Sequence, residues 1–224
     1  MKRVVFALIV VLMTAGIANA DVVLTFQGLQ NNEEILNYYN GGYGSGGSGP
    51  GPNYGIVFGS ESLAVLSRSA GGSGNNYNQP SGSDMGLLFY PGGSGADIMN
   101  VAAGFTTGFS FYSSSQEGGT VTVYSGLNGT GTVLATLTVL TTPQGSTDGG
   151  NVTGYYSVWD PVGTTFSGTA ESVDFSGAVA YADTFFDAVT LGSSTPNPVP
   201  LPATILLLGP GLVGLAAIRR RFKR

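Results

Sequence analysis

The chain has 224 residues, of which 42% are hydrophobic and 9% are charged, and it contains no Cys and no His. These counts exclude disulfides, thiolate zinc sites, cysteine nucleophiles and every Ser-His-Asp triad. The 37 glycines are far above the usual share of about 7%.

Charge is divided sharply along the chain. Seven of the eight basic residues lie at the two ends, whereas all thirteen acidic residues lie between Asp21 and Asp187, where Arg68 is the one basic residue. Nucleic acids and anionic lipid surfaces require Lys and Arg, so this middle segment is a poor partner for them. Its acidity favours divalent cations or neutral polymers, and a solvated acidic surface is the simpler explanation.

The N-terminus is typical of an export signal. Lys2 and Arg3 precede an apolar run over residues 4–13, which is too short for a comfortable membrane span of about 20 residues. Ala18 and Ala20 form a small-x-small site, which predicts a signal peptide over residues 1–20 and cleavage before Asp21. An uncleaved anchor is the alternative.

The C-terminus is typical of a second processing or anchoring signal. A Pro-rich linker over residues 195–203 is followed by an apolar run over 204–218 and a basic tail over 219–224. The run predicts a single transmembrane helix, which Pro210 should kink. The basic tail places that end in the cytoplasm and the preceding domain outside.

Together these features resemble a PEP-CTERM sorting signal, and more closely its VPLPA-CTERM variant. The commonest box has Glu at its third position, where this chain has Leu201. The resemblance implies recognition by exosortase at the inner membrane of a Gram-negative-type bacterium and transfer to the cell surface or exopolysaccharide matrix. A plain tail anchor is the alternative. The residues that carry the resemblance are Val199, Pro200, Leu201, Pro202, Ala203, Arg219, Arg220 and Arg221.

The intervening segment, residues 21–194, is predicted to be one all-β, antiparallel β-sandwich of jelly-roll type. Short apolar segments alternate with Gly, Ser, Asn and Pro, and several have a period of two. Residues 125–131 predict a hairpin loop. The expected strands are 22–26, 55–58, 63–66, 86–90, 98–101, 108–112, 120–124, 133–140, 155–159, 172–175, 179–181 and 188–191. The residues expected to share faces are Val121 with Val123, Phe109 with Phe111, and Val133 with Ala135, Leu137 and Val139.

Five motifs resemble the ectodomains of PEP-CTERM proteins, which are similar to galactose-binding-like jelly rolls. That resemblance carries no established activity. The motifs are residues 25–29, 37–42, 49–55, 100–105 and 186–191.

Carbohydrate binding is the specific functional hypothesis, because sugars stack on exposed aromatic rings. Two Gly-rich segments, residues 40–53 and 70–83, are interpreted as flexible loops with aromatic side chains in or beside them. Trp159 is a candidate too, although it could equally belong to the core. The candidate sugar-binding residues are Tyr38, Tyr39, Tyr43, Tyr54, Tyr77 and Trp159.

Asp187 is the candidate calcium ligand, since calcium prefers carboxylate and carbonyl oxygens. A period of two places it on the face of Val189 and Leu191, pointing inward at a strand entrance. A turn capped through backbone amides is the alternative role. Glu33, Glu34, Asp160 and Asp174 are weaker candidates.

Two functions therefore stay open, and neither is enzymatic, because no acidic pair has a recognisable catalytic motif. One is a structural component of the cell surface or biofilm matrix. The other is a surface-held carbohydrate-binding module with a structural calcium.

Overall fold

The computed structural model describes residues 21–90, 97–143, 146–148, 151–154, 156–179 and 183–197. The expected signal peptide, sorting box, transmembrane helix and basic tail lie outside these ranges. Within the described ranges, no helix is long and apolar enough to cross a membrane. Residues 195–197 of the expected linker pack against the domain, since Pro196 is buried and the Asn197 N–H donates to Thr190 Oγ1 at 3.2 Å.

Fourteen strands form almost all of the regular structure in these residues, together with two short 3-10 turns at Arg68–Ala70 and Ser176–Ala178. The strands are β1 Val22–Leu24, β2 Glu33–Glu34, β3 Ile56–Phe58, β4 Ser62–Leu66, β5 Met85–Phe89, β6 Ile98–Phe105, β7 Gly108–Ser115, β8 Gly119–Gly126, β9 Thr130–Val139, β10 Ser146–Asp148, β11 Asn151–Gly154, β12 Asp160–Thr165, β13 Ala170–Asp174 and β14 Thr184–Leu191.

Two antiparallel sheets make up the sandwich. The first has seven strands in the order β12-β7-β14-β5-β4-β2, with β1 also paired to β14. The second has five strands in the order β3-β6-β13-β8-β9, and β10 and β11 form a separate hairpin. The expected antiparallel, all-β architecture is therefore confirmed.

Phenylalanine side chains fill the space between the sheets. Five of these rings are fully buried, and the centroids of contacting pairs lie at most 6.3 Å apart, mostly edge to face. Such arrangements align ring edges with ring faces and add to the gain from apolar burial. The rings are Phe89, Phe109, Phe111, Phe175 and Phe186.

The expected alternation holds in β7 and β8 but fails in β9. Val121 and Val123 are fully buried, as the period of two predicts. In β9, however, the register shifts between Val123 and Tyr124, so Ala135 pairs with Val123 and Val133 pairs with Tyr124. This bulge places Val133 on the opposite face from Leu137 and Val139, and its side chain is 52% exposed.

Two of the expected strands are wrong or lie partly outside the described ranges. Tyr156 makes only an isolated bridge with Asn76, and the strand begins at Asp160 instead. The sequence does not predict β12 because the strand contains Pro161 and Gly163, and both residue types usually interrupt strands. β12 lies at a sheet edge, where Pro is tolerated. Val179 is outside any strand, and residues 180–181 are not described.

Candidate functional site

A buried glutamate organises the glycine loop, residues 41–51. Glu33 is 3% exposed. Its carboxylate accepts hydrogen bonds from the Gln30 N–H at 2.7 Å and from the Ser48 N–H at 3.0 Å. Burial raises the pKa of Glu33, but the bonds from Gln30, Ser48 and Gly46 outweigh it and hold the pKa below its usual value.

Glycine is required where this loop meets the carboxylate. A Cβ on Gly44 would lie 2.6 Å from Glu33 Oε1, closer than side-chain atoms can approach. The Gly41 N–H also donates to Pro52 O at 3.1 Å, and the Gly51 N–H donates to Gly42 O at 3.0 Å. The interpretation of residues 40–53 as a plain flexible loop is therefore wrong, because the loop is folded around Glu33.

Two of the candidate sugar-binding tyrosines are in the core. Tyr38 and Tyr39 are 8% and 4% exposed and belong to the main hydrophobic cluster. The Tyr39 hydroxyl accepts a hydrogen bond from the Phe26 N–H at 2.8 Å, and the Tyr38 hydroxyl donates to Gln27 O at 3.1 Å. Neither ring offers a face to a ligand, so these two assignments are wrong.

The Tyr54 ring packs against Tyr39 and is otherwise accessible to solvent. Its ring stacks on Tyr39, with centroids 6.2 Å apart and an interplanar angle of 14°. The Tyr54 N–H donates to Tyr39 O at 2.8 Å, which fixes the backbone as well. The side chain is nonetheless 45% exposed. A ring that is both fixed and exposed can bind another flat or apolar surface with little loss of entropy.

Tyr54 forms one wall of a cleft of about 710 Å³ at one end of the sandwich. Buried aliphatic side chains from three strands form its floor, namely Ile56, Val101 and Leu191. Its exposed rim is mostly polar, with Ala103 beside Asp21, Thr106, Thr107 and Thr169.

The cleft combines an aromatic wall, an apolar floor and a rim of hydroxyl groups with one carboxylate. Hydroxyl groups both donate and accept hydrogen bonds, and the Asp21 carboxylate accepts them. Among the residues that the structure describes, no basic side chain lines the cleft. This set matches a neutral ligand with apolar faces and many hydroxyl groups, and it suits an anion poorly.

The remaining candidate aromatics lie elsewhere. Tyr43 is 55% exposed on the glycine loop but does not line the cleft. Tyr77 and Trp159 are half-buried, and Trp159 Nε1 donates to Tyr77 O at 2.7 Å. Trp159 packs on a small apolar cluster outside the main core, which includes Tyr156 and Phe185. The core alternative for Trp159 therefore fits its packing better than an open sugar platform does.

Sequence reasoning missed most of the cleft. Thr106 and Thr107 come from one turn and Thr169 from another, and threonine in a turn is too common to indicate a site. The sequence indicates a role for Asp21 only as the first residue after the predicted cleavage site. The Phe105-Thr106-Thr107-Gly108 turn between two strong strands was the one available signal.

Asp187 is fully buried in the middle of β14 rather than at a strand entrance. The register with β7 shifts between Asp187 and Thr190, so the assumed alternation with Val189 is interrupted. The Ser81 N–H donates to Asp187 Oδ2 at 2.8 Å, whereas Oδ1 is buried without a hydrogen-bond partner. Burial raises the pKa of Asp187 to about 6, and hydrogen bonds from Ser81 and Ala188 oppose it only in part.

The surroundings of Asp187 allow only a limited metal site. Among the described residues, no group of three or more Asp and Glu side chains is placed to hold a metal ion. A calcium ion there would have at most two carboxylate ligands from these residues, Asp187 among them, and would need uncharged oxygens for the rest. The unpartnered Oδ1 is the feature that fits such an ion.

Comparison with known proteins finds no matching family model and no matching curated protein. One similar solved structure is described as "Binding sub-site dissection of a family 6 carbohydrate-binding module by X-ray crystallography and isothermal titration calorimetry". The match has a TM-score of 0.37 and 19% identity, covering 63% of this chain and 95% of that chain. These values are too low for the ligand of that module to bear on this chain.

Metal-free protein should lose stability as pH rises from about 4 to about 6. Burial raises the pKa of Asp187 and of Asp97 to about 6, from 3.8. The folded chain therefore keeps protons that the unfolded chain releases, and the free energy of unfolding falls through this window and levels off above it. Asp187→Asn should remove about 3 kcal/mol of that fall.

Urea midpoints at several pH values in the presence of a chelator measure the effect. Part of the fall should remain in Asp187→Asn, because Asp97 is unchanged. A pH profile identical to that of the original chain would mean that Asp187 does not take up a proton on folding.

Proposed function

We propose that this chain is an exported, non-enzymatic protein of the bacterial cell surface that binds a neutral polysaccharide in the Tyr54 cleft. The observation that carries the proposal is the fixed, half-exposed Tyr54 ring beside a rim of hydroxyl groups. An exposed aromatic ring beside a concave surface favours the carbohydrate-binding function over a purely structural matrix protein. On this proposal the sandwich is related to galactose-binding-like jelly rolls.

The residues available in the cleft support a non-enzymatic role. Hydrolysis of a glycosidic bond commonly uses two carboxyl groups on either side of the bond. Among the described residues, Asp21 is the one carboxylate that lines the cleft, and the whole chain lacks His and Cys. The cleft therefore has the groups that hold a sugar without those that cleave it.

The two termini support export and anchoring. The charged and apolar pattern of residues 1–20 supports cleavage before Asp21. In residues 199–224 the sorting box is followed by an apolar run and then by a basic tail. This succession supports recognition by an exosortase-type enzyme at the inner membrane. The domain would then pass to the cell surface or the exopolysaccharide matrix, where polysaccharide is abundant.

Calcium binding at Asp187 is a second proposal, favoured by the buried and unpartnered Oδ1. A divalent cation would offset the cost of ionising this carboxyl group in the interior. It would also reduce the repulsion among the acidic residues of the domain.

Tyr54→Ala should weaken glycan binding about tenfold, equivalent to about 1.4 kcal/mol, because the stacking surface is removed. Binding is measured by calorimetry with the best ligand from a glycan array, using residues 21–197. Tyr90→Ala is the matched control, since Tyr90 is 50% exposed and does not line the cleft. Equal losses in both variants would place the ligand elsewhere.

Millimolar calcium should raise the melting temperature of residues 21–197. A ligand that binds only the folded state at a hundredfold excess stabilises it by about 2.7 kcal/mol, or roughly 5–10 °C at this size. Asp187→Asn should abolish the rise, and magnesium should produce a smaller one. The same melting temperature in calcium and in chelator would leave Asp187 only as the acceptor for Ser81.

Protein recovered from its native surface should be shortened at both ends. Intact-mass measurement should place the new N-terminus at Asp21 and the new C-terminus near Val199–Ala203. A chain that still runs from Met1 to Arg224 would contradict both processing steps.

A further inference from the structure

One edge of the sandwich is long and unpaired. β9 is the outer strand of the second sheet, ten residues long, and bonds to β8 along one side. No other strand of the described residues pairs with its outer side. An edge strand presents backbone N–H and C=O groups that can pair with another strand.

The other edge strands are protected in ways that β9 is not. β2 has two residues, both glutamates, and β3 has only three residues. β12 begins with Asp160 and Pro161. Short length, charge and Pro all hinder pairing between molecules. β9 has the sequence TGTVLATLTV, with no charge and no Pro.

The exposed side chains of β9 also suit contact with another strand. Thr136 and Thr138 are exposed on its outer face, and Val133 is 52% exposed. Leu140, just beyond the strand, is 62% exposed. Threonine and β-branched or aliphatic residues pack well across paired strands.

The charge distribution favours a second copy of this chain as the partner. Two copies repel each other over most of their acidic surface. The stretch from Gly118 to Thr147 has no charged residue, and β8 and β9 lie within it. The two β9 strands can therefore pair without bringing like charges together on the strands themselves, and Asp160 of β12 is an acidic residue that borders β9.

We propose that β9 pairs antiparallel with β9 of a second copy around a two-fold axis, which joins two five-stranded sheets into one of ten strands. Identical strands can pair in this arrangement, because a residue i of one copy meets residue j of the other while residue j of the first meets residue i of the second. None of the cleft residues is in β9, so the pairing is independent of glycan binding.

Sedimentation velocity tests the pairing on residues 21–197, which contain the whole described core, and again on the full chain in mild detergent. The mass should rise from one copy to two between roughly 1 μM and 1 mM. Thr136→Glu/Thr138→Glu should weaken dimerisation at least about tenfold, because like charges then face each other across the new strand pair.

The matched control places the same two charges one strand further in. Thr120 pairs with Thr138 and Thr122 with Thr136, so Thr120→Glu/Thr122→Glu adds equal charge to the same sheet face away from the edge. It should weaken dimerisation less than about threefold. Equal weakening by both variants, or a monomer at every concentration, would overturn the proposal.

Hydrogen exchange gives an independent readout. Amides of β9 should become more protected as concentration rises, whereas those of β3, at the opposite edge of the same sheet, should not change. Protection of β9 that is the same at all concentrations would show that the chain covers its own edge, and would overturn pairing between copies.

Discussion

The arrangement of the sandwich depends on how β14 is bonded along its two edges. All eight of its residues are buried, and β7 runs along one side. The other side is shared, since β5 pairs with Phe185 and Phe186 while β1 pairs with residues 189–191. Asp187 and Ala188 lie between these partners, and Ala188 has a φ of 47°, a conformation that costs an L-residue about 1–2 kcal/mol. The resulting bulge lets Phe186 and Val189 both reach the core, although they are three residues apart.

Regular alternation could be predicted from the sequence, whereas its interruptions could not. Val121, Val123, Phe109 and Phe111 are buried where a period of two places them. Bulges break the same period in β9 and β14, and a bulge depends on the neighbouring strand, which one sequence does not reveal. The sequence does not predict β12 for a related reason. Pro161 is compatible with a strand at a sheet edge, and the sequence alone does not reveal which strand lies at an edge.

The candidate site was predictable only in part. Tyrosines near a Gly-rich segment indicated an aromatic surface, and Tyr54 does line the cleft. The sequence could not separate Tyr54 from Tyr38 and Tyr39, because their exposure depends on how the loop folds around Glu33. That fold requires several backbone N–H groups to reach one buried carboxylate. Neither the buried role of Glu33 nor the threonine rim has a recognisable sequence pattern.

The pairing of β1 with β14 brings the two ends of the domain together. Val22 pairs with Leu191, and Asp21 Oδ1 lies 3.0 Å from where a Cβ on Gly192 would be. Both residues also border the cleft. Removal of a leader before Asp21 would leave a free, positively charged amino group at this rim, beside its own carboxylate. If the cleft binds glycan as proposed, maturation would add a hydrogen-bond donor to its rim, and the precursor and the mature protein would differ in affinity.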